Sequence, residues 1–367
     1  MTQSTAPKAS DNYSATEQLI DGASATEQPI RELSTTDQLI QILFGFMITQ
    51  ALAVAAKLGI ADLLKNGPKQ TNELAQAVGV EPRPLYRLLR ALASVGVFAE
   101  EDKGRFRLTP MAELLRSDAP NSLRGFIIFM GSDWHWRVWE GLEYSVRKAQ
   151  PAFEHIHGKP FFEYLPENPA QAKIFHDAMT SFSASVSAAL LEAYDFSTVT
   201  KLVDVGGGHG HLLTTALRKY PQMEGVVFDA PSVIGGAQEQ IAEQGLEARC
   251  TAIAGDFFES VPTGSDAYLM KHIIHDWEDE KALKILRNCH QAMTESGKVL
   301  VVEMVIPEGN APSAGKLLDL EMLVFLHSFE RTEAEYRALY EQAGFELTRV
   351  VATKSPYSVI EGVRRDK

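Results

Sequence analysis

The chain has 367 residues, of which 45% are hydrophobic, and a formal net charge of −13 at pH 7. This size favours two domains over one, and the negative charge disfavours nucleic acid or anionic membrane surfaces as main partners. Only two cysteines occur, Cys250 and Cys289, without CxxC spacing, so neither a disulfide framework nor a cysteine zinc site is indicated and a cytoplasmic location is expected.

The N-terminal segment carries a polar repeat with a period of ten, at residues 14–20, 24–30 and 34–40. The copies are too short and too polar to bury a face, so a disordered tail is predicted over residues 1–37. No basic stretch leads into an apolar core there, and no apolar run near twenty residues is evident. Neither a signal peptide nor a membrane span is therefore expected.

A helical domain with winged-helix order is predicted over residues 38–120. It opens with an apolar helix over residues 39–56, interpreted as a dimerisation helix. Two further helices, around residues 71–79 and Leu85, precede a hairpin that joins residues 97–99 to 105–108. The alternative interpretation is DNA binding through the second of these helices, whose three arginines could contact phosphates: Arg83, Arg87 and Arg90.

Residues 121–190 form a mostly helical stretch that is dense in large side chains. Three tryptophans fall within six residues, at Trp134, Trp136 and Trp139. Most of the large side chains in this stretch belong to a core, but aromatic walls also suit a planar ligand. The stretch is therefore interpreted as a helical linker that lines the substrate site.

The last part of the chain, residues 191–367, alternates strand-like and helical runs. Strands are predicted at residues 201–205, 224–229, 267–270, 298–303 and 357–363. Such alternation is typical of a doubly wound α/β domain, in which a mostly parallel sheet is covered by helices on both faces.

The first of these strands runs into a glycine-rich turn that contains Asp204, Gly206, Gly208 and Gly210, and a helix follows. Glycines are needed where the backbone turns tightly and lets a ligand approach closely. The same pattern can bind the pyrophosphate of a dinucleotide, so this turn alone leaves NAD open as the ligand.

Two further acidic residues follow the next strands. Asp229 ends the second strand, where a ribose diol would lie, and Asp256 with Phe257 forms a third element between the second and third predicted strands. Three carboxylates around one pocket match a cationic sulfonium cofactor better than one with two phosphates. The residues thus favour S-adenosylmethionine.

The segment from Lys271 to Glu280 contains the sequence His275-Asp276-Trp277. With the glycine turn, Asp229 and the Asp256 element in the same order, the chain from about Leu39 onward resembles the plant caffeic-acid-type O-methyltransferases and their bacterial relatives. This resemblance implies a Rossmann-like methyltransferase domain behind a winged-helix dimerisation domain, S-adenosylmethionine as cofactor, and a homodimer with interlocked N-terminal domains.

The resemblance also implies catalytic roles. His275 is the general base, Glu303 and Glu330 steer or polarise it, and Lys271 lies near the cofactor. An imidazole flanked by carboxylates can accept the proton of a phenol as its oxygen attacks a methyl carbon. The alternative interpretations are structural, with Glu303 facing water at a strand end and Glu330 capping the next helix. The sequence departs from the family at residues 327–329, just before Glu330, where the loop is bulkier.

The expected reaction is O-methylation of a small aromatic, phenolic secondary metabolite. N-methylation, a relative that no longer transfers methyl groups, and a winged-helix regulator are the alternatives. No metal-binding pattern is evident. The predicted acceptor site comprises Met130, Trp134, Phe162, Met179, Phe182, Asp276, Met322 and Phe325. Core packing is the alternative interpretation for its aromatic and methionine residues.

Overall fold

The computed structural model describes residues 34–365, apart from the side chains of residues 184 and 185. The first two repeat copies and most of the predicted tail over residues 1–37 lie outside the described residues. The third copy begins a helix at Thr35, inside the segment predicted as a tail. Ser34 caps helix α1 (Thr35–Leu43) by accepting a hydrogen bond from the backbone of Asp37, whose side chain accepts in return from Ser34.

The apolar segment predicted as one helix over residues 39–56 is divided in two. Helix α1 ends before Phe44, and α2 (Gly45–Lys57) begins at a glycine, a residue that weakens helix interiors. Helix α1 belongs to a unit that ends at Gly45, and residues from Phe46 onward form a second unit.

This N-terminal segment is also more apolar than the sequence analysis recognised. Among the described residues, 34–365, Thr35–Lys57 is the one helical segment of sufficient length and apolar composition to cross a membrane. Core helices of soluble proteins and signal sequences meet the same criterion, so this single segment does not identify a membrane protein.

The predicted winged-helix order is present. Strands β2 (Phe98–Glu100) and β3 (Arg105–Leu108) form the predicted antiparallel hairpin. The short strand β1 (Lys69–Gln70) pairs with β3, so that the strand order is β1-β3-β2. The core contains Leu74 of α4, Leu85 and Leu89 of α5, and Phe106 of β3. The elements are α3 (Ile60–Leu64), β1 (Lys69–Gln70), α4 (Thr71–Val78), α5 (Pro82–Ala93), β2 (Phe98–Glu100), β3 (Arg105–Leu108) and α6 (Pro110–Glu113).

A helical region follows, as predicted, and packs around an aromatic core. Its elements are α7 (Arg124–Met130), α8 (Asp133–Glu140), α9 (Leu142–Lys148), α10 (Ala152–His157), α11 (Phe161–Tyr164), a 3-10 turn (Leu165–Glu167) and the long α12 (Pro169–Ala193). Phe129, Trp134, Phe153 and Phe161 are buried together, and Phe325 from a later helix joins them.

The remaining residues build a seven-stranded sheet of order β11-β12-β8-β7-β4-β5-β6. The five strands from β4 to β8 are parallel, which confirms the predicted doubly wound α/β class. The last predicted strand is antiparallel to β8, and two strands of this sheet were not predicted, β6 and β11. The strands of the sheet are β4 (Lys201–Val205), β5 (Glu224–Asp229), β6 (Cys250–Ala254), β7 (Ala267–Lys271), β8 (Lys298–Glu303), β11 (Phe345–Ala352) and β12 (Ser358–Arg364). Two short strands, β9 (Val305–Ile306) and β10 (Arg331–Thr332), were also not predicted and form a separate parallel pair.

Apolar clusters cover both faces of this sheet. One face packs against the end of α12 and against α13 and α14, the other against α15 and α17. The helices are α13 (His211–Lys219), α14 (Ile234–Glu243), α15 (Asp279–Ala292), α16 (Ala314–Phe325) and α17 (Glu333–Ala343), with a 3-10 turn at Ile274–Asp276. The predicted cofactor and catalytic residues therefore gather at the carboxyl ends of β4, β5, β7 and β8, where open α/β sheets bind their ligands.

Candidate active site

The glycine-rich turn after β4 requires glycine. Gly206, Gly208 and Gly210 all have positive φ, at 69°, 58° and 77°, a region that other residues rarely adopt. At Gly206 a β-carbon would lie 2.3 Å from the terminal methyl of Ile273, so any other residue would also require that side chain to move. At Gly208 a β-carbon would face open space. The turn thus presents bare backbone at the sheet edge.

Asp229, at the end of β5, holds this turn. One of its carboxylate oxygens accepts the N–H of Gly208 at 2.7 Å, and the other accepts the N–H of Ala230 at 2.7 Å. Each oxygen keeps a free lone pair for a second donor. The carboxylate can therefore bind a hydroxyl pair of a ligand while it fixes the glycine turn.

Asp204, just before the glycine turn, and Lys271, at the end of β7, are two ionisable residues whose charges influence each other without a direct hydrogen bond. Burial raises the pKa of Asp204 to about 7, although the positive charge of Lys271 opposes this shift. Burial likewise lowers the pKa of Lys271 to about 8. Within residues 34–365, Oδ2 of Asp204 has no hydrogen-bond partner. An orphaned carboxylate oxygen beside an open glycine turn fits a ligand with a positive charge.

The predicted cofactor residues Asp256 and Phe257 lie in two different environments. The side chain of Asp256 is exposed and accepts the N–H of Phe258 at 2.8 Å, so it also shapes its own turn. The ring of Phe257 lies beside the glycine turn, 3.9 Å from the position of a β-carbon on Gly206, and close to Trp277. Phe257 can offer a ring face to a ligand that occupies the turn.

His275 lies in the 3-10 turn after β7 and is buried. Its Nδ1 donates a hydrogen bond to Oε1 of Glu330 over 2.6 Å, and its Nε2 lies 3.5 Å from Oδ1 of Asp276. Because Glu330 occupies Nδ1, Nε2 is the nitrogen left to exchange a proton with a ligand. The bulkier loop at residues 327–329 does not displace Glu330, whose own N–H is bound by Asp319 at 2.9 Å.

The carboxylates control the charge of this imidazole. Burial alone would lower the pKa of His275, but the negative charges of Glu330, Asp276 and Glu303, with the hydrogen bond to Glu330, raise it to about 10. Burial in turn raises the pKa of Asp276 to about 7 and also raises that of Glu330, while the positive imidazole opposes both shifts. The cluster therefore retains protons readily near neutral pH.

Glu303 reaches His275 through the backbone, which differs from the direct steering expected from the resemblance. Its Oε1 accepts the N–H groups of Ile273, Ile274 and His275, at 3.2, 2.7 and 3.1 Å. Its other oxygen accepts the hydroxyl of Tyr336. Glu303 thus fixes the turn that carries the imidazole, and is fully buried rather than facing water.

Arg331 also supports this turn, and the sequence analysis missed it. Its guanidinium is fully buried and donates to the carbonyls of Ile274 and Trp277, at 3.2 and 2.9 Å. It also binds Asp279 at 2.8 Å and lies over the ring of Phe329. Its only sequence signal was its place directly after Glu330, next to a helix start.

We expect Arg331→Met to lower the free energy of unfolding by about 2–4 kcal/mol, because the change leaves the buried carbonyl of Ile274 and the part-buried carbonyl of Trp277 without their donor. Urea denaturation measures this effect. The matched control is Arg147→Met, whose ion pair with Glu143 is exposed on both sides and should contribute less than about 1 kcal/mol. Equal losses in the two variants would contradict a supporting role for Arg331.

The predicted acceptor residues lie in three settings. Trp134 and Phe325 are inside the aromatic core of the helical region, which Met130 and Met179 flank. Phe182 stacks on Phe126 and packs near His272, and Phe162 is 39% exposed and stacks on Trp277. Met322 is buried on α16. Their contact with an acceptor stays a prediction.

No group of three or more metal-ligating side chains occurs within residues 34–365.

The sequence model described as the O-methyltransferase domain matches residues 139–346, more than half of the chain. The chain belongs to the O-methyltransferase family. A model described as the O-methyltransferase dimerisation domain matches residues 40–118. The resemblance recognised from the glycine turn, Asp229, Asp256 and His275 is therefore confirmed, as is the order of a mostly helical dimerisation domain and a Rossmann-like domain.

Individual relatives agree with this assignment. The methyltransferase is 43% identical to a phenazine O-methyltransferase of Lysobacter antibioticus, over 88% of this chain and 94% of that protein. It is 36% identical to the 8-amino-8-demethylriboflavin N,N-dimethyltransferase of Streptomyces davaonensis, over 84% and 90% of the two chains. A methyltransferase of calicheamicin biosynthesis, solved with S-adenosylhomocysteine bound, matches with a TM-score of 0.83 and 34% identity, over 91% of this chain and all of the other.

The cofactor of this methyltransferase is S-adenosylmethionine, which confirms the choice made from the three carboxylates. The residues at the sheet edge fit such a ligand. The orphaned Oδ2 of Asp204 provides a counter-charge, the turn at Gly208 is open, and Asp229 retains accepting capacity for a diol.

Proposed function

We propose that this enzyme methylates a phenolic hydroxyl of a small aromatic metabolite, with His275 as the general base. The observation that carries the proposal is the hydrogen bond of 2.6 Å from Nδ1 of His275 to Glu330, which orients Nε2 for proton transfer. Glu330 is a positioning residue in this account, and Glu303 holds the turn beneath the imidazole. When bound, S-adenosylmethionine supplies an electrophilic methyl group, and S-adenosylhomocysteine is the product.

The chain's residues prepare the acceptor oxygen for attack. A phenol has a pKa near that of tyrosine, about 10, and the carboxylates raise the pKa of His275 to about 10 as well. The free energy of proton transfer from the hydroxyl to Nε2 is therefore close to zero, which suits general-base catalysis. The new oxygen–carbon bond forms as the carbon–sulfur bond breaks, and the positive imidazole is stabilised by Glu330.

The cofactor side is assigned to Asp204, Gly206, Gly208, Gly210, Asp229, Asp256, Phe257 and Lys271. Lys271 donates a hydrogen bond to the hydroxyl of Ser183 on α12, so a residue of the helical region lies at this edge of the pocket. The acceptor side is assigned to Phe162, Met179, Phe182, Asp276 and Met322, with Met130, Trp134 and Phe325 behind them. The relatives' small aromatic acceptors agree with this aromatic lining.

We expect Asp229→Ala to weaken binding of S-adenosylhomocysteine roughly 10- to 100-fold, because hydrogen bonds to a charged group contribute about 1.5–3 kcal/mol. Isothermal titration calorimetry measures this. Glu346→Ala, which removes an exposed carboxylate from β11, is the control and should bind as the wild type does. Unchanged affinity in Asp229→Ala would remove Asp229 from the cofactor site.

The proposed activity is tested with a panel of hydroxylated aromatic acceptors, with methylated products and S-adenosylhomocysteine quantified by mass spectrometry. We expect methylation of hydroxylated bicyclic or tricyclic aromatics and no product without an acceptor. Tight binding of S-adenosylhomocysteine with no methylated product from any phenol would contradict the proposal.

N-methylation is the second candidate, because one relative is an N,N-dimethyltransferase. An aromatic amine loses a proton on methylation, so the same imidazole could serve it. Matched pairs of phenols and anilines in the panel discriminate the two. Preferential methylation of the amines would replace the first candidate with the second.

We infer the following organisation of the protein. The chain divides into a tail (1–37), a winged-helix dimerisation domain (38–120), a helical linker that lines the substrate site (121–190) and a methyltransferase domain (191–367). The enzyme acts in the cytoplasm as a homodimer with interlocked N-terminal domains. The matched dimerisation domain supports dimerisation, as do apolar side chains that are more than half exposed, such as Leu39 at 68% and Ile42 at 77%. Nucleic acid and membranes are not partners in this account. A monomer in analytical ultracentrifugation would contradict it.

A further inference from the structure

His272 lies three residues before the proposed base, and its backbone is unusual. Its φ is 58°, and it is one of only two non-glycine residues within residues 34–365 with a positive φ. The left-handed region is unfavourable for a residue with a β-carbon. Strained backbone of this kind concentrates at functional sites, where the surrounding structure maintains it.

The side chain of His272 is partly buried and lies among aromatic rings. Its ring centroid lies 4.4 Å from that of Tyr357, 5.6 Å from that of His275 and 5.9 Å from that of Phe182. Its Nε2 is buried and has no hydrogen-bond partner among the described residues. Burial, with the positive charges of Lys271 and His275, lowers its pKa well below the ordinary value, so the ring is neutral.

Packing alone does not account for this residue. A phenylalanine would fill the same aromatic surroundings without burying an unpaired nitrogen, which is unfavourable. A strained backbone and an orphaned polar atom thus occur together beside the base. A buried unsatisfied group in a native structure calls for an explanation, and a ligand that supplies the missing partner is one.

The neighbours of His272 indicate which ligand this is. The ring of His272 lies beside those of His275 and Phe182, which belong to the proposed acceptor side. Lys271, directly before it in the chain, belongs to the cofactor side, so His272 lies where the two sides adjoin. Two imidazoles whose centroids are 5.6 Å apart can each form a hydrogen bond of about 2.8 Å to oxygen or nitrogen atoms on adjacent carbons of one aromatic ring.

We propose that His272 is a specificity-determining residue whose Nε2 hydrogen-bonds to a second polar group of the methyl acceptor, on the ring carbon next to the reacting hydroxyl. The acceptor class is therefore an ortho-substituted phenol, such as a catechol, an aminophenol or a hydroxy-carbonyl compound. This inference rests on the proposed function. His272 binds the second group, and His275 takes the proton from the first.

The test compares 2,3-dihydroxynaphthalene with 2-naphthol, and catechol with phenol, for wild type, His272→Phe and His272→Asn. We expect wild type to favour the ortho-diol of each pair at least tenfold in kcat/KM. His272→Phe should lose this preference, mainly through a higher KM for the diol, while the mono-hydroxyl acceptor changes less than twofold. His272→Asn retains polar atoms and tolerates a positive φ, so it should keep part of the preference.

Controls separate the alternatives. Affinity for S-adenosylhomocysteine, measured by calorimetry, should be unchanged in both variants. If His272→Phe does not fold, His272→Gly replaces it, because glycine adopts this φ without strain. Equal loss of kcat/KM on both members of a pair, or a fall in cofactor affinity instead, would overturn the inference about His272. Absence of methylation by the wild type on the whole panel would contradict the proposed function itself, and with it this inference.

Discussion

Replacement of His275 by alanine is expected to lower kcat by about 10²- to 10⁴-fold, the usual contribution of a general base. The imidazole is buried, and its Nδ1 is committed to Glu330. The loss should therefore appear in kcat at saturating acceptor, with little change in the affinity for S-adenosylhomocysteine, because the cofactor residues lie on the glycine turn and β5. Steady-state kinetics and calorimetry measure the two quantities.

His155→Ala is the matched control. His155 is exposed on α10, where it stacks on Tyr144, and its loss should leave kcat within twofold of wild type. If His275→Ala retained wild-type turnover at neutral pH, the acceptor would not need a base at this position. Partial recovery of His275→Ala at high pH, where phenols ionise in solution, would support the assigned role.

Glu330→Gln is expected to shift the pH dependence of kcat/KM to lower pH. Glu330 is the foremost carboxylate that raises the pKa of His275 to about 10, against the lowering effect of burial. The base is active in its neutral form, so kcat/KM should rise with pH as His275 loses its proton. Removal of the negative charge destabilises the imidazolium, and the apparent pKa of the rising limb should fall by about 1–3 units.

The shift is a readout that a purely structural effect would not produce. Glutamine can still accept the hydrogen bond from Nδ1, so the orientation of the ring is largely retained and kcat on the plateau should fall only modestly. Glu333→Gln, at an exposed ion pair with Arg337, should leave the profile unchanged. An unshifted rising limb in Glu330→Gln would mean that another group sets the pH dependence.

Much of the fold could be predicted because its signals are local. The glycines predicted a tight turn after the first strand, where the structure has positive φ at Gly206, Gly208 and Gly210. The alternation of strands and helices predicted the parallel sheet. β6 was missed because it is five residues long and its apolar side chains are mostly small, with only Cys250 buried. β11 was missed because its two charged residues, Glu346 and Arg349, make it resemble a surface segment.

The catalytic cluster was predicted only in part because its geometry is tertiary. Nothing in the local sequence indicates that Glu303 binds three backbone N–H groups rather than the imidazole. The burial of Arg331 depends on carbonyls more than fifty positions away. The strain and unpaired Nε2 of His272 likewise appear only when α12, β12 and the turn are brought together.

The most direct test of the account is transfer from S-adenosylmethionine labelled with ¹³C in its methyl group to an aromatic that carries both a hydroxyl and an amine, followed by ¹³C NMR of the product. We predict that the label appears on oxygen with the wild-type enzyme and that the rate of this transfer falls at least 100-fold with His275→Ala. A label on nitrogen, or an undiminished rate of O-methylation by His275→Ala, would contradict it.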